Sequence, residues 1–269
     1  MGLTIHYDLK SPARIRKSEK ILALVESLHQ RAMDLPFESC DDVIHLVGKD
    51  CEYSDCEYSH TDSETRKWLK IQACQYVVTG HDVKQHYGVT PCEIIAFECW
   101  PGVGCEAMNI GLCRYPKTIS IDGKTYPTRL GGWRWGSFCK TQYASNIGVR
   151  HFLHCHNLVC VLLDAAKELG FRVDVDDEGK FYQNRNFDVL AKEVGQWNAM
   201  IAGFAGKLRD VFGTESIKCP ITKHPAYEHL EAQGNAAHGH AARLMTLLSG
   251  ASLEEIEKHK QFHPEQWEQ

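Results

Sequence analysis

The apolar positions divide the chain into a strand-rich first half and a helical second half. Leu3 to Leu9 carries the pattern of a strand. Ser11-Pro12 follows as a helix start, with Ser as N-cap and Pro in the first turn. Ile21, Val25, Leu28 and Ala32 recur at helical spacing, widened by Leu22 and Leu24, and Asp34-Leu35-Pro36 ends that helix. Val43 to Val47 predicts a short strand and residues 48–66 a polar loop. Leu69 to Val78 and Glu93 to Trp100 are β-rich apolar runs, the second stopped by Pro101-Gly102.

Residues 101–147 hold many Gly, Pro and aromatic residues and little helical period, which predicts short strands and long loops. Ile119 to Tyr126 reads as a hairpin around Asp122-Gly123, and Ser137 to Tyr143 as a further strand. A helix resumes from Val149 to Leu169 and Gly170 closes it. Phe171 to Val175 and Phe181-Tyr182, on either side of Asp176-Asp177-Glu178-Gly179, read as a second hairpin.

Phe187, Leu190, Val194, Trp197, Ile201, Phe204, Leu208 and Val211 then alternate steps of three and four, the stripe of a long helix with one buried face. A core helix is the first reading of that stripe and a homodimer seam the second. Gly195, Gly203 and Gly206 would each weaken an isolated helix by roughly 1 kcal/mol relative to Ala, and they permit close packing against a neighbour. Ala237 to Leu248, and a last segment opened by a capping box from Ser252 to Glu255, predict helices. The expected fold is α+β: a mixed or mainly antiparallel sheet in the N-terminal half with long helices from the C-terminal half packed on it. Residues 1–215 are expected to form this domain and residues 216–269 a helical C-terminal extension.

With 269 residues, 43% of them hydrophobic and 24% charged, the chain buries a core without disulfide staples. It begins without a basic stretch leading into an apolar one, and no apolar run is long enough to cross a bilayer. The expectation is a cytoplasmic protein with reduced thiols and no membrane partner. Thiols matter here, because the chain carries 12 Cys and 15 His. No C-x-x-C pair occurs, so zinc ribbons and thioredoxin-like sites are excluded by spacing. Many of these thiols are small hydrophobes of the core, Cys74, Cys92 and Cys160 among them.

Charge is segregated. Between Asp34 and Glu64 ten acids face the single base Lys49. From Ala107 to Arg150 the bases Arg114, Lys117, Lys124, Arg129, Arg134, Lys140 and Arg150 meet only Asp122, and Tyr115, Tyr126, Trp133, Trp135, Phe138 and Tyr143 are interleaved with them. Such a stretch suits a small anionic ligand, a phosphate-bearing molecule or a nucleotide, with Arg114, Arg134, Lys140, Trp133 and Tyr143 as its contacts. A net charge of -5 argues against broad DNA binding, which rests on a domain-wide basic field.

Glu98 to Glu106 is the most site-like segment, a Gly-rich loop at a strand end with two thiols and two carboxylates. Gly102, Gly104 and Ala107 match a dinucleotide fingerprint in spacing, but no long helix follows the turn. On the helix that opens near His151, Cys155 lies four residues on and shares its face. Cys99, Cys105, His151 and Cys155 form the candidate metal set, with zinc as the ion such donors accept. Cys139, next to Lys140, is the candidate nucleophile, with His154 as base and Glu106 or Glu98 for acid–base work. Cys51, Cys56 and His60 fall in a solvated acidic loop whose carboxylates oppose a thiolate. The function expected is a metal- or thiol-dependent enzyme with an anion-accepting site. The alternative is a non-catalytic binding or regulatory module whose acidic 34–64 segment or heptad helix engages a protein partner.

Overall fold

The structure, a computed structural model, describes residues 3–53, 64–79, 85–213 and 219–236. The chain divides into two compact units, Met1–Ala191 and Lys192–Gln269.

The first unit is built on an antiparallel sheet. Its strands run in the order β11 (Arg172–Asp177), β1 (Thr4–Lys10), β10 (Trp133–Lys140), β7 (Met108–Arg114), β6 (Glu93–Trp100), β2 (Ser39–Cys40), and β3 (Ile44–Val47) also pairs with β6. Every pairing among them is antiparallel. Helices α1 (Ser18–Met33), α2 (Glu64–Ala73) and α3 (Val149–Glu168) cover the sheet. The expected α+β class is therefore the observed one, and α1, from the N-terminal half, joins α3 in that covering layer.

Burial follows from the layers. Along β1, Ile5, Tyr7 and Leu9 are buried while His6, Asp8 and Lys10 are exposed, the two-residue period of a strand with one wet face. In β6, Ile94, Ile95, Ala96 and Phe97 are all buried. Both faces are dry there because β6 meets both α1 and α2. His29 of α1 stands edge-on to Phe97, and the Tyr115 hydroxyl donates to the Ala73 carbonyl at the end of α2.

Several local expectations change. Leu69 to Ala73 is helix, because its buried residues, Leu69 and Ala73, lie four apart; only Gln75–Thr79 is strand (β4), paired with β5 (Gln85–Val89). The first helix begins at Ser18, not at Ser11, whose backbone N–H is bonded to the Trp133 carbonyl. Phe181-Tyr182 is not a hairpin arm. It opens the short helix α4 (Phe181–Asn184), and β11 pairs with β1 instead. The strand expected over 137–143 runs from Trp133 to Lys140 and gives way to a 3-10 turn, Gln142–Asn146. The hairpin at Asp122-Gly123 forms as expected between β8 (Thr118–Ile121) and β9 (Lys124–Pro127), with positive φ at both turn residues.

Helix α5 (Phe187–Phe212) runs from the first unit into the second. Within the second unit, Ala202 and Ala205 of α5 form a core with Ile221 and with Leu230 of α6 (Tyr227–Ala236). The tight contact uses small residues rather than the large apolar stripe. A Cβ on Gly203 would lie 2.9 Å from the Gly234 Cα, so the two backbones touch there. The helices expected over 237–248 and 252–255 onward lie outside the described residues.

Candidate functional site

One end of the sheet gathers the chemistry. The loop after β6, residues 101–106, crosses the last residues of β10, the 3-10 turn and the first turns of α3. It is anchored by the Glu106 amide, which donates to the Lys140 carbonyl at 2.8 Å, and by the Trp100 indole, which donates to the Cys105 carbonyl at 3.2 Å. Gly104, at φ +85, lies so close to Tyr143 that a Cβ would stand 2.5 Å from its carbonyl oxygen. Gly102, at φ +146, leaves the space into which His151 Cε1, Cys155 Sγ and Glu38 Oε1 converge, 3.0, 3.1 and 3.4 Å from where a Cβ would be.

A thiol, an imidazole and a carboxylate therefore meet over a glycine. His151 Nε2 lies 2.9 Å from the Val103 carbonyl and 3.6 Å from Cys155 Sγ. A carbonyl only accepts, so Nε2 carries a proton, and that N–H also faces the sulfur. The Cys155 thiol donates to the Pro101 carbonyl at 3.3 Å and is hydrogen-bonded to Cys105. The Cys105 hydrogen bond, helped by His151, holds the Cys155 thiol below its ordinary value, against burial and the charge of Glu38. The same bond and burial push the Cys105 thiol far up. The pair thus gives up its first proton readily and keeps the second, one thiolate shared between two sulfurs beside an N–H donor.

A second imidazole–thiol pair lies on the same helix and is different in kind. His156 and Asp177 are fully buried at the side chain and meet at 3.2 Å. Thr141 Oγ1 occupies the other ring nitrogen at 2.8 Å. Asp177 also accepts from the amides of Gly179 and Tyr182, both at 2.8 Å. Burial works against its charge, but the bonds from His156, Tyr182 and Gly179 outweigh it and hold the carboxyl below its ordinary value. His156, Cys160 and Asp177 each place a donor atom within 4.8 Å of the others, and they are the only such group among the described residues. The hydrogen bonds of His156 and Asp177 are already complete, so the arrangement ties α3 to β11 and to the residue that follows β10.

Of the candidate metal set, Cys105, His151 and Cys155 are brought together, while Cys99 lies against Cys40, Sγ to Sγ 2.8 Å, across the β2–β6 ladder. Cys139 is fully buried, and its thiol donates to the Glu106 carbonyl at 3.3 Å. Burial, then the charge of Glu106 and two neighbouring thiols, push it well above the ordinary value. This reverses the activation expected from Lys140, whose ammonium lies over the Tyr143 ring at 5.5 Å. His154 and Glu106 are exposed, and Glu98 is half-buried and raised by burial and Asp41.

The expected anion contacts do not converge. Arg114 and Trp133 are cross-strand neighbours at one end of β10, and Lys140 closes its other end, about 23 Å away at ~3.3 Å per residue. Arg114 is held by Glu93 at 2.8 Å, and Arg134 is half-buried beside Tyr115. Only Lys140 and Tyr143 border the 101–106 loop. Glu38, which sequence reasoning placed in a general acidic segment, is the site residue that it missed; no local signal marked it.

No protein-family model, no curated protein and no solved structure matches this chain. Among the described residues no helix is long and apolar enough to cross a membrane.

Proposed function

We propose that the protein is a thiol-dependent enzyme of the thiol–disulfide exchange type, with Cys105 and Cys155 as the reacting pair and His151 as the group that stabilises their thiolate. The observation that carries this reading is Cys155 Sγ, hydrogen-bonded to a second thiol and 3.6 Å from a protonated imidazole nitrogen. The shared thiolate attacks one sulfur of a disulfide and expels a thiolate, giving a mixed disulfide. The remaining thiol then loses its proton and displaces the second thiolate, leaving Cys105 and Cys155 joined. Cys105, half-buried, is the sulfur that a substrate reaches; it passes its proton to Cys155 Sγ along their hydrogen bond as it attacks, and Cys155, fully buried, is the one that resolves. Lys140 and Tyr143 at the rim favour a substrate with an anionic group near an aromatic ring.

The test is stopped-flow reaction of the reduced Cys40→Ala protein, which lacks the other lowered, half-buried thiol, with the anionic aromatic disulfide dithiobis-nitrobenzoate. A fast phase releasing two equivalents of the aromatic thiolate is expected, falling to one equivalent in Cys155→Ser and vanishing in Cys105→Ser. A fast phase that survives both substitutions sinks the proposal.

A further inference from the structure

We propose that Cys40 and Cys99 form a second, reversible disulfide that locks the edge strand β2 onto β6. The register makes the two residues direct partners in an antiparallel ladder. The Asp41 amide donates to the Glu98 carbonyl at 2.8 Å. Hydrogen-bonded and open pairs alternate in such a ladder, so Cys40 and Cys99 occupy an open pair, the kind with Cα atoms only about 4.5 Å apart. That spacing lies inside the range of about 4.4–6.8 Å that a disulfide spans without backbone movement. The sulfurs already face each other at 2.8 Å.

The two thiols also differ in the way an exchange reaction requires. Cys40 is half-buried and Cys99 fully buried, so an external oxidant meets Cys40 first. The hydrogen bond between the two sulfurs lowers the Cys40 thiol and raises that of Cys99, which favours thiolate at the accessible sulfur. A small disulfide such as oxidised glutathione supplies the oxidising equivalents. The Cys40 thiolate attacks one of its sulfurs and releases one glutathione thiolate. Cys99 then gives its proton to solvent and attacks Cys40 Sγ, releasing the second. Two protein thiols are oxidised, and one glutathione disulfide is reduced to two thiols.

The lock has a mechanical consequence. β2 is two residues long, and Glu38, two positions before Cys40, is the carboxylate that converges on Gly102 with Cys155 and His151. Oxidation would fix that carboxylate beside the Cys105–Cys155 pair, whose ionisation its charge opposes. This coupling rests on reading Cys105–Cys155 as the reacting centre; the disulfide itself does not.

The experiment therefore uses the Cys105→Ser/Cys155→Ser double variant of the full chain, treated with graded ratios of oxidised to reduced glutathione. Peptide mapping should recover a Cys40–Cys99 crosslink, with exchange of the Asp41 amide slowed about tenfold or more. Cys40→Ala added to this background should abolish the crosslink. A stable glutathione adduct on Cys40 with Cys99 still alkylatable would overturn the proposal, as would a crosslink of either thiol to another cysteine. If the double variant does not fold, the same mapping on the wild-type chain decides it, because the two disulfides yield different peptides.

Discussion

His151 with Cys155 and His156 with Cys160 repeat one spacing on one helix, yet their surroundings differ at every point. The first pair faces a loop whose glycines keep side chains away, and its imidazole is half-buried. Its hydrogen bonds end on main-chain carbonyls and on a second thiol, so the proton inventory of the two sulfurs can change. The second pair is dry, and every polar atom of His156 and Asp177 has a fixed partner. Identical i, i+4 geometry therefore carries no chemistry by itself. Burial and the completeness of the hydrogen bonding decide whether such a pair is a pin or a reacting group.

The sharpest way to break this comparison is to cut the pin. Asp177→Ala leaves His156 buried without its carboxylate and strands the amides of Gly179 and Tyr182, and should cost about 3–5 kcal/mol of stability in urea denaturation. A loss below about 1 kcal/mol would mean that the second pair is as open as the first. Acid should reach the same point. The folded value of Asp177 is depressed, so its contribution is fully present above the ordinary value of 3.8 and is lost as pH falls through the lower folded value. The wild-type chain should lose stability more steeply below pH 3.8 than Asp177→Asn, in which that carboxyl no longer titrates.

Gly102→Ala probes the open pair from the other side. A Cβ there meets His151 and Cys155 at 3.0 and 3.1 Å and forces a side chain into a φ of +146, an expected cost of about 1–3 kcal/mol. Its particular signature is chemical: the first ionisation of the Cys105–Cys155 pair should rise as the ring and sulfur are pushed apart. Thr141→Val, by contrast, should cost about 1–3 kcal/mol by leaving His156 Nδ1 unpaired, and should leave thiol reactivity unchanged.

Sequence pattern reached some of this and not the rest, for physical reasons. The α+β class, β1, β6, α3 and the Asp122-Gly123 turn were legible because each is set by local period or turn chemistry. Leu69 to Val78 misled because a short apolar run is compatible with either period. Cys105, His151 and Cys155 were named as candidates from a strand-end loop and a helix face. Their meeting depends on a tertiary crossing that no local spacing encodes. Cys139 shows the opposite failure. Its sequence neighbour Lys140 suggested activation, but strand alternation sends the two side chains to opposite faces, and burial then raises the thiol. The partner of Cys99 is likewise a product of register, between β2 and β6, while Asp177 meets His156 because α3 packs against β11.

The smallest expected change in stability belongs to His151→Ala, and it discriminates most finely between the two pairs. His151 is half-buried and bonded to a carbonyl at the surface end of the loop, so its removal should shift stability by no more than about 0.5–1 kcal/mol. It removes the N–H that faces Cys155 Sγ, one of the influences holding that thiol down. The pH dependence of alkylation at Cys105 and Cys155, followed by mass spectrometry with a small neutral iodoacetamide, should therefore move to higher pH while the denaturation curve barely moves. Cys105→Ser should move the profile further, because the hydrogen bond from Cys105 is the larger influence on Cys155. If His151→Ala instead unfolds the chain and leaves the alkylation profile of the folded fraction in place, the first pair is a second pin, and the distinction between the two ends of α3 collapses.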